Sequence, residues 1–336
     1  MLDLARLERL KLVRRPPGQR FFGRLLGANY RWFPGVELVL EHRERIPTRP
    51  VIYAMNHTDR YNYWPFQYAL WKRLDRFTAT WVKGKYYEGA FLAWFMESMA
   101  QLPTVSRGYL ITRDFVSVMK RTPTDREYAL LRAAVDARAI GEAGTLPTPP
   151  DVPEMLLRKP RNPFGVAYDP AGEDYADYIC ATFRAMMARF VDLNRRAMEI
   201  GLDLLVFPQG TRSKRLLPGH SGLAQVALHL EAPIVPVGCN GSDLVYPGAS
   251  PFARKGRIVY RVGDPIFHED LAAFHIKEPF VPFSATAERD HAAEFRGVTD
   301  LVTERIDALL DPEYRRASDP ESEADAATER GADRFV

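Results

Sequence analysis

The chain has 336 residues, of which 46% are apolar, enough to bury the core of one large α/β domain with an appendage. No apolar run approaches the roughly 18 to 20 residues that a membrane-spanning helix needs, and the first residues lack the apolar centre of a signal peptide, so a cytoplasmic protein is expected. Cys180 and Cys239 lie far apart and outside any Cys-x-x-Cys pair, which argues against a disulfide framework or a zinc site.

The net charge of +3 is unevenly spread: residues 1–26 carry seven Arg or Lys against Asp3 and Glu8, whereas residues 311–336 carry eight acids against four arginines. The basic stretch also holds Phe21, Phe22, Leu25, Leu26, Tyr30, Trp32 and Phe33. Residues 1–35 therefore read as an amphipathic arm, either lying on a membrane surface of anionic lipid or packing its aromatics on the domain. No recognised nucleic-acid module accompanies the charge, so no nucleic-acid partner is expected.

Val36 to Glu41 alternates as a strand should, and Val51-Ile52-Tyr53-Ala54 reads as a short buried strand. It runs into Met55-Asn56-His57-Thr58-Asp59-Arg60-Tyr61-Asn62. Thr58 or Asp59 can cap a helix extending to about Leu74, which puts His57 on a loop at the carboxyl end of a strand, where α/β sheets usually bind ligands. On one helix His57 and Asn62 would point about 140° apart, so they meet only if His57 folds back over the first turn. A histidine in this place can cap, pack or act as a base.

Phe77 to Val82 predicts a third strand, residues 86–100 an apolar helix that packs in the core or lines an acyl groove, and Pro103 to Ser106 a strand delivering Arg107 to a loop, where a guanidinium can hold a phosphate. Residues 108–174, with a helix around Asp125 to Ala139 and a Pro-rich passage after it, read as an insertion that either packs on the domain or covers the site. A helix with one buried face is expected over Tyr175 to Ile200. Asp203 to Phe207 is again an apolar strand, ending in the polar loop Pro208-Gln209-Gly210-Thr211-Arg212-Ser213-Lys214. A helix over Ser221 to Leu230, strands at Ala232 to Gly238 and, as an edge, at Arg257 to Gly263, and a helix around Val298 to Leu310 complete a domain spanning 36–310. The expected fold is a mixed, largely parallel central sheet flanked by helices. The acidic tail 311–336 is expected to be disordered.

Four of these segments together resemble the blocks of the glycerolipid acyltransferase superfamily, which includes the 1-acylglycerol-3-phosphate acyltransferases. Asn56-His57 followed by Asn62 is similar to its Asn-His-x4-Asp block, Leu102 to Arg107 to the second, and Phe207-Pro208-Gln209-Gly210-Thr211-Arg212-Ser213 to its Phe-Pro-Glu-Gly-Thr-Arg-Ser block. Ile234 to Val237 is similar to the fourth. Asn62 replaces the family aspartate and Gln209 the family glutamate, which puts full activity in doubt. The resemblance implies a glycerol-3-phosphate acyltransferase-like fold and transfer of a fatty acyl group from acyl-CoA or acyl carrier protein to a hydroxyl of a lysophospholipid or related glycerol phosphate. It calls for no metal or redox cofactor. His57 would be the base, Asn62 or Asp59 would orient it, and Arg107, Gln209, Arg212 and the Gly210 and Thr211 backbone N–H groups would bind the acceptor. A peripheral place at the inner face of the membrane follows for such an enzyme. The two amides leave open a lipid-binding protein of the same fold with little turnover.

Overall fold

A computed structural model describes residues 1–142 and 145–316. Its centre is a seven-stranded sheet of β1 (Val36–Glu41), β2 (Ile52–Met55), β3 (Thr78–Lys83), β4 (Gln101–Thr104), β5 (Asp203–Val206), β6 (Ile234–Asn240) and β7 (Gly256–Val262), in the order β1-β7-β6-β2-β5-β3-β4. Every neighbouring pair is parallel except β6 and β7. The central strands β2, β5 and β6 are buried throughout, which explains why they read as apolar runs and not as alternating ones. Successive residues feed opposite cores: Ile52 and Ala54 join one apolar cluster, Val51, Tyr53 and Met55 the other.

The helices are α1 (Leu4–Arg9), α2 (Pro17–Arg31), α3 (Tyr63–Leu74), α4 (Ala90–Ser98), α5 (Arg107–Met119), α6 (Asp125–Ala139), α7 (Glu154–Arg158), α8 (Tyr175–Glu199), α9 (Gly222–Leu230), α10 (Ser242–Val245), α11 (Ala285–Asp290) and α12 (Ala292–Asp307). At the amino ends of the strands Asp203, buried, accepts from the Val51 N–H at 3.0 Å and from Arg76 Nε at 2.9 Å, fixing β5 against β2.

The described residues of 108–174 pack on the flank of α8. Leu131, Val135, Val152, Leu156 and Phe164 enter the larger core, and a buried bidentate pair from Arg161 to Asp114 (2.8 and 2.6 Å) ties the end of the segment to α5. The Arg161 guanidinium also lies over the Tyr168 ring at 4.5 Å.

Several expectations need correction. The strand over 257–263 is not an edge: β7 lies between β1 and β6, and β1 and β4 are the edges. Its alternation arises because one face meets helices while Arg257 and Arg261 pair with Glu37 and Glu41 across β1. Of the two readings of the basic stretch, packing on the domain describes the first dozen residues, where Leu2, Leu7, Leu10 and Leu12 are buried and Leu4 donates its N–H to the Phe164 carbonyl. Further along residues 1–35, Phe21 and Leu25 on α2 and Trp32 and Phe33 just after it remain exposed. In the tail, residues 311–316 pack on the domain, with Tyr314 buried and its hydroxyl on Asp243 at 2.6 Å; residues 317–336 lie outside the described residues.

Candidate active site

The strand register itself assembles the site. Ala54 stands opposite Val206 and Met55 opposite Val237, so three residues further on His57 is level with Gln209 across one gap and beside Cys239 across the other. The contacts follow: the His57 N–H reaches Gln209 Oε1 at 3.4 Å, and the Ser213 N–H donates to the His57 carbonyl at 2.9 Å. Asn56, buried, exchanges two bonds with the Cys239 backbone (2.9 and 2.7 Å) and locks the end of β2 to β6.

His57 does fold back. Its Nδ1 is 3.0 Å from Asn62 Oδ1, and its ring stacks on Phe207 with centroids 4.0 Å apart. The tautomer follows from a chain of roles. Asn62 Nδ2 donates to the Asn56 carbonyl at 2.9 Å, and a carbonyl can only accept, so Asn62 presents its oxygen to the imidazole. Nδ1 must then carry the proton, and the free lone pair is on Nε2, the position from which the ring can act as a base. Tyr260 holds the Asn62 carbonyl at 2.5 Å. Burial pushes His57 down to about 3, the Asn62 bond working against the fall and the Arg212 and Lys83 cations adding to it.

Asp59 is not part of this arrangement. Its carboxylate accepts from the Tyr61 N–H at 2.8 Å and the Thr58 hydroxyl at 3.0 Å, closing a tight turn on itself. That turn delays the helix, which starts at Tyr63 with no side-chain cap, so neither Thr58 nor Asp59 is its N-cap.

In the second loop the Gly210 N–H donates back to the Phe207 carbonyl at 3.0 Å and is spent on the turn; it cannot also hold a phosphate. Gly210 is needed there for another reason: φ is +66°, and a Cβ would meet His220 Cδ2 at 2.9 Å. Gln209 is buried, with Nε2 unpartnered among the described residues. Thr211 and Arg212 are half-buried at the mouth, and Arg212 acts electrostatically on His57.

Arg107 is not brought to His57. The sheet order puts β4 three strands from β2, about 14 Å at the usual spacing of about 4.8 Å. There the Arg107 guanidinium rests over Phe183 at 4.4 Å and pairs with Glu288 at 3.2 Å. Lys83, which the sequence did not single out, stands nearer, at the end of β3, and bears electrostatically on both His57 and His220. Its position as the last residue of a strand that runs parallel into the same edge was the available signal. Among the described residues no group of three or more His, Cys, Asp or Glu side chains could hold a metal ion.

A half-buried imidazole with a directed lone pair thus lies under the influence of two cations at the carboxyl edge of a parallel sheet. Residues 178–240 match the family model described as Acyltransferase, a span that takes in the Gln209 loop and β6 but stops short of His57. A 1-acyl-sn-glycerol-3-phosphate acyltransferase of Cocos nucifera is 36% identical over 81 residues, 24% of this chain and 26% of the relative. The match thus spans about a quarter of that relative's length. The crystal structure of the 1-acyl-sn-glycerophosphate (LPA) acyltransferase from Thermotoga maritima superposes over 91% of this chain and 79% of that one, at 14% identity and a TM-score of 0.42. Over residues 178–240 the chain carries a match to the Acyltransferase family, and a partial likeness to a 1-acyl-sn-glycerol-3-phosphate acyltransferase accompanies it.

Proposed function

We propose that the chain moves a fatty acyl group from a thioester, acyl-CoA or acyl carrier protein, to a hydroxyl of a lysophospholipid or related glycerol phosphate. The observation that carries this reading is the His57–Asn62 bond, which leaves Nε2 as a free base beside Arg212 and Lys83. The acceptor hydroxyl gives its proton to Nε2 as its oxygen attacks the thioester carbonyl. Collapse of the tetrahedral adduct then breaks the C–S bond, and the proton returns to the leaving thiolate. Arg212 and Lys83 would hold the acceptor's phosphate and so set its hydroxyl against the base. Thiol release from acyl-CoA with lysophosphatidic acid as acceptor tests this: the wild type turns over and His57→Ala falls to the uncatalysed background.

A second reading, a lipid-binding protein with little turnover, is favoured by one fact: an amide supports the imidazole where a carboxylate would stabilise its charged form. Equal background rates for wild type and His57→Ala, with lysophosphatidic acid still bound, would establish it.

No described helix is long and apolar enough to cross a membrane. Membrane contact would instead come through α2 and α4, which meet edge-on through Phe22 and Phe95 and leave Phe21, Leu25, Trp32, Phe33, Phe91 and Trp94 exposed beside Arg20, Arg24 and Arg31. Changing Trp32, Phe33, Phe91 and Trp94 together to serine is expected to weaken sedimentation with phosphatidylglycerol vesicles by at least about tenfold, since each ring carries more than about 1.5 kcal/mol of burial energy. Unchanged sedimentation would remove this face from the proposal.

A further inference from the structure

The connection from α10 to β7, residues 246–255, carries an apolar tip that belongs neither to the acyl-transfer site nor to the face formed by α2 and α4. Phe252 is 79% exposed, and Leu244, on α10 ahead of it, 66%. Arg254 and Lys255 follow directly and are also exposed, and residues 244–257 contain no acidic side chain. The loop is well held below its tip. The Arg254 N–H donates to the Val245 carbonyl at 2.9 Å and closes the neck, and the Phe252 N–H turns back on Ser250 Oγ at 3.2 Å. Two buried tyrosines then anchor it to its neighbours. Tyr246 shares a 2.9 Å hydroxyl bond with Tyr30 of α2, two residues ahead of the exposed Trp32. The Tyr61 hydroxyl donates to the Ala249 carbonyl, with its ring against Trp64 and Tyr246 at 4.7 and 5.7 Å. Tyr61 belongs to the turn that presents Asn62 to His57.

We propose that this loop is a second lipid-facing element: Phe252 and Leu244 enter the interface of an anionic bilayer, Arg254 and Lys255 rest at its headgroups, and the tie through Tyr61 holds the His57 turn at a set height above the lipid. The charge pattern selects the occupant. An aromatic tip bordered by cations and free of acids fits a surface that is anionic outside and apolar beneath. Across a two-fold axis at this tip the same cations would face each other, which disfavours a second copy as the partner. A tip on a neck already fixed by hydrogen bonds also loses little freedom when it is covered. Tyr61 is thereby a positioning residue for an acceptor drawn from the membrane.

The proposal rests on the membrane reading of α2 and α4 and adds a loop which that reading leaves out. The full chain is sedimented with phosphatidylglycerol and with phosphatidylcholine vesicles, each variant first checked for an unchanged melting temperature. Leu244→Ser/Phe252→Ser should bind phosphatidylglycerol vesicles roughly ten- to a hundredfold more weakly. Arg254→Gln/Lys255→Gln should lose about tenfold on phosphatidylglycerol and little on phosphatidylcholine. Phe252→Trp should add emission that shifts to the blue when vesicles are present. Unchanged sedimentation of the serine pair, no shift for Phe252→Trp, or a wild-type dimer that the serine pair turns into a monomer overturns the proposal. The α2–α4 reading fails separately, by normal sedimentation of the variant at Trp32, Phe33, Phe91 and Trp94 while the serine pair still loses binding. For the tie, Tyr61→Phe should bind vesicles as the wild type does yet lose more turnover on lysophosphatidic acid held in vesicles than on a short-chain acceptor dissolved as monomer; equal losses on both remove Tyr61 from the proposal. A wild type with no thiol release defeats the transferase reading and leaves the sedimentation results standing.

Discussion

Asn62→Asp should raise acyl transfer on the order of 10²- to 10⁴-fold, the inverse of what losing the equivalent carboxylate costs in a serine-hydrolase triad. The amide of Asn62 fixes the ring and the tautomer but brings no charge to the imidazolium that forms as the proton moves. Burial already pushes His57 down to about 3, so in the wild type the imidazole is neutral throughout the working range and the rate should show no acid limb. A carboxylate at position 62 favours the charged ring and raises its pKa. Below that raised value the base is already protonated, so the variant should acquire an acid limb that the parent lacks. The gain has a cost. Asn62 is fully buried, and its Nδ2 bond to the Asn56 carbonyl would be replaced by two oxygens facing each other. A loss of about 1 to 3 kcal/mol in stability is expected alongside the faster turnover. A pH–rate profile paired with urea unfolding checks both; a variant no faster than wild type would mean that His57 is not the base.

The largest stability effect belongs to Arg161→Met. Asp114 is fully buried and Arg161 nearly so, and their bidentate pair is what offsets the carboxylate's desolvation. Removing the guanidinium strands the charge, which typically costs about 3 to 5 kcal/mol. Burial already raises the Asp114 pKa above its ordinary 3.8, against the pull of Arg161, Tyr175 and Tyr178; without Arg161 it rises further. The sign follows: the folded state holds this proton more firmly than the unfolded chain, so the variant's stability is greatest in acid and drains away as pH climbs from 3.8 through the folded value. Urea unfolding should therefore show a smaller penalty near about pH 5 than near about pH 8. An equal penalty at both would mean that the carboxylate finds another partner.

The central strands were legible because both of their faces are buried, so β2, β5 and β6 appear as continuous apolar runs that end where polar loops begin. Helix α8 was legible from its apolar period and α6 as a helical stretch, whose start the structure fixes with a Thr124–Glu127 capping box. What escaped was what depends on register and on distant partners. The place of β7 was hidden because alternation says that one face is polar and not that a strand is an edge. Asp59 looked like a helix cap or a partner for His57, and local turn chemistry claimed it first. Arg107 was read from its strand end and its block, yet the carboxylate it pairs with lies 181 positions further along the chain. Lys83 was visible as a strand-end cation only once β3 was known to lie beside β5. The leucines at 2, 7, 10 and 12 were overlooked beneath the basic charge around them.

Tyr314 has a reach beyond its own burial. Its carbonyl takes the Leu216 N–H at 2.9 Å, its ring sits beneath Lys214, and its hydroxyl meets Asp243, so the stretch that carries Arg212 is moored to the far carboxyl segment. Proteolytic trimming or a shortened expression boundary ahead of that tyrosine would unmoor the cationic loop while leaving every strand of the sheet in place, and the chemistry would register the cut before the fold did.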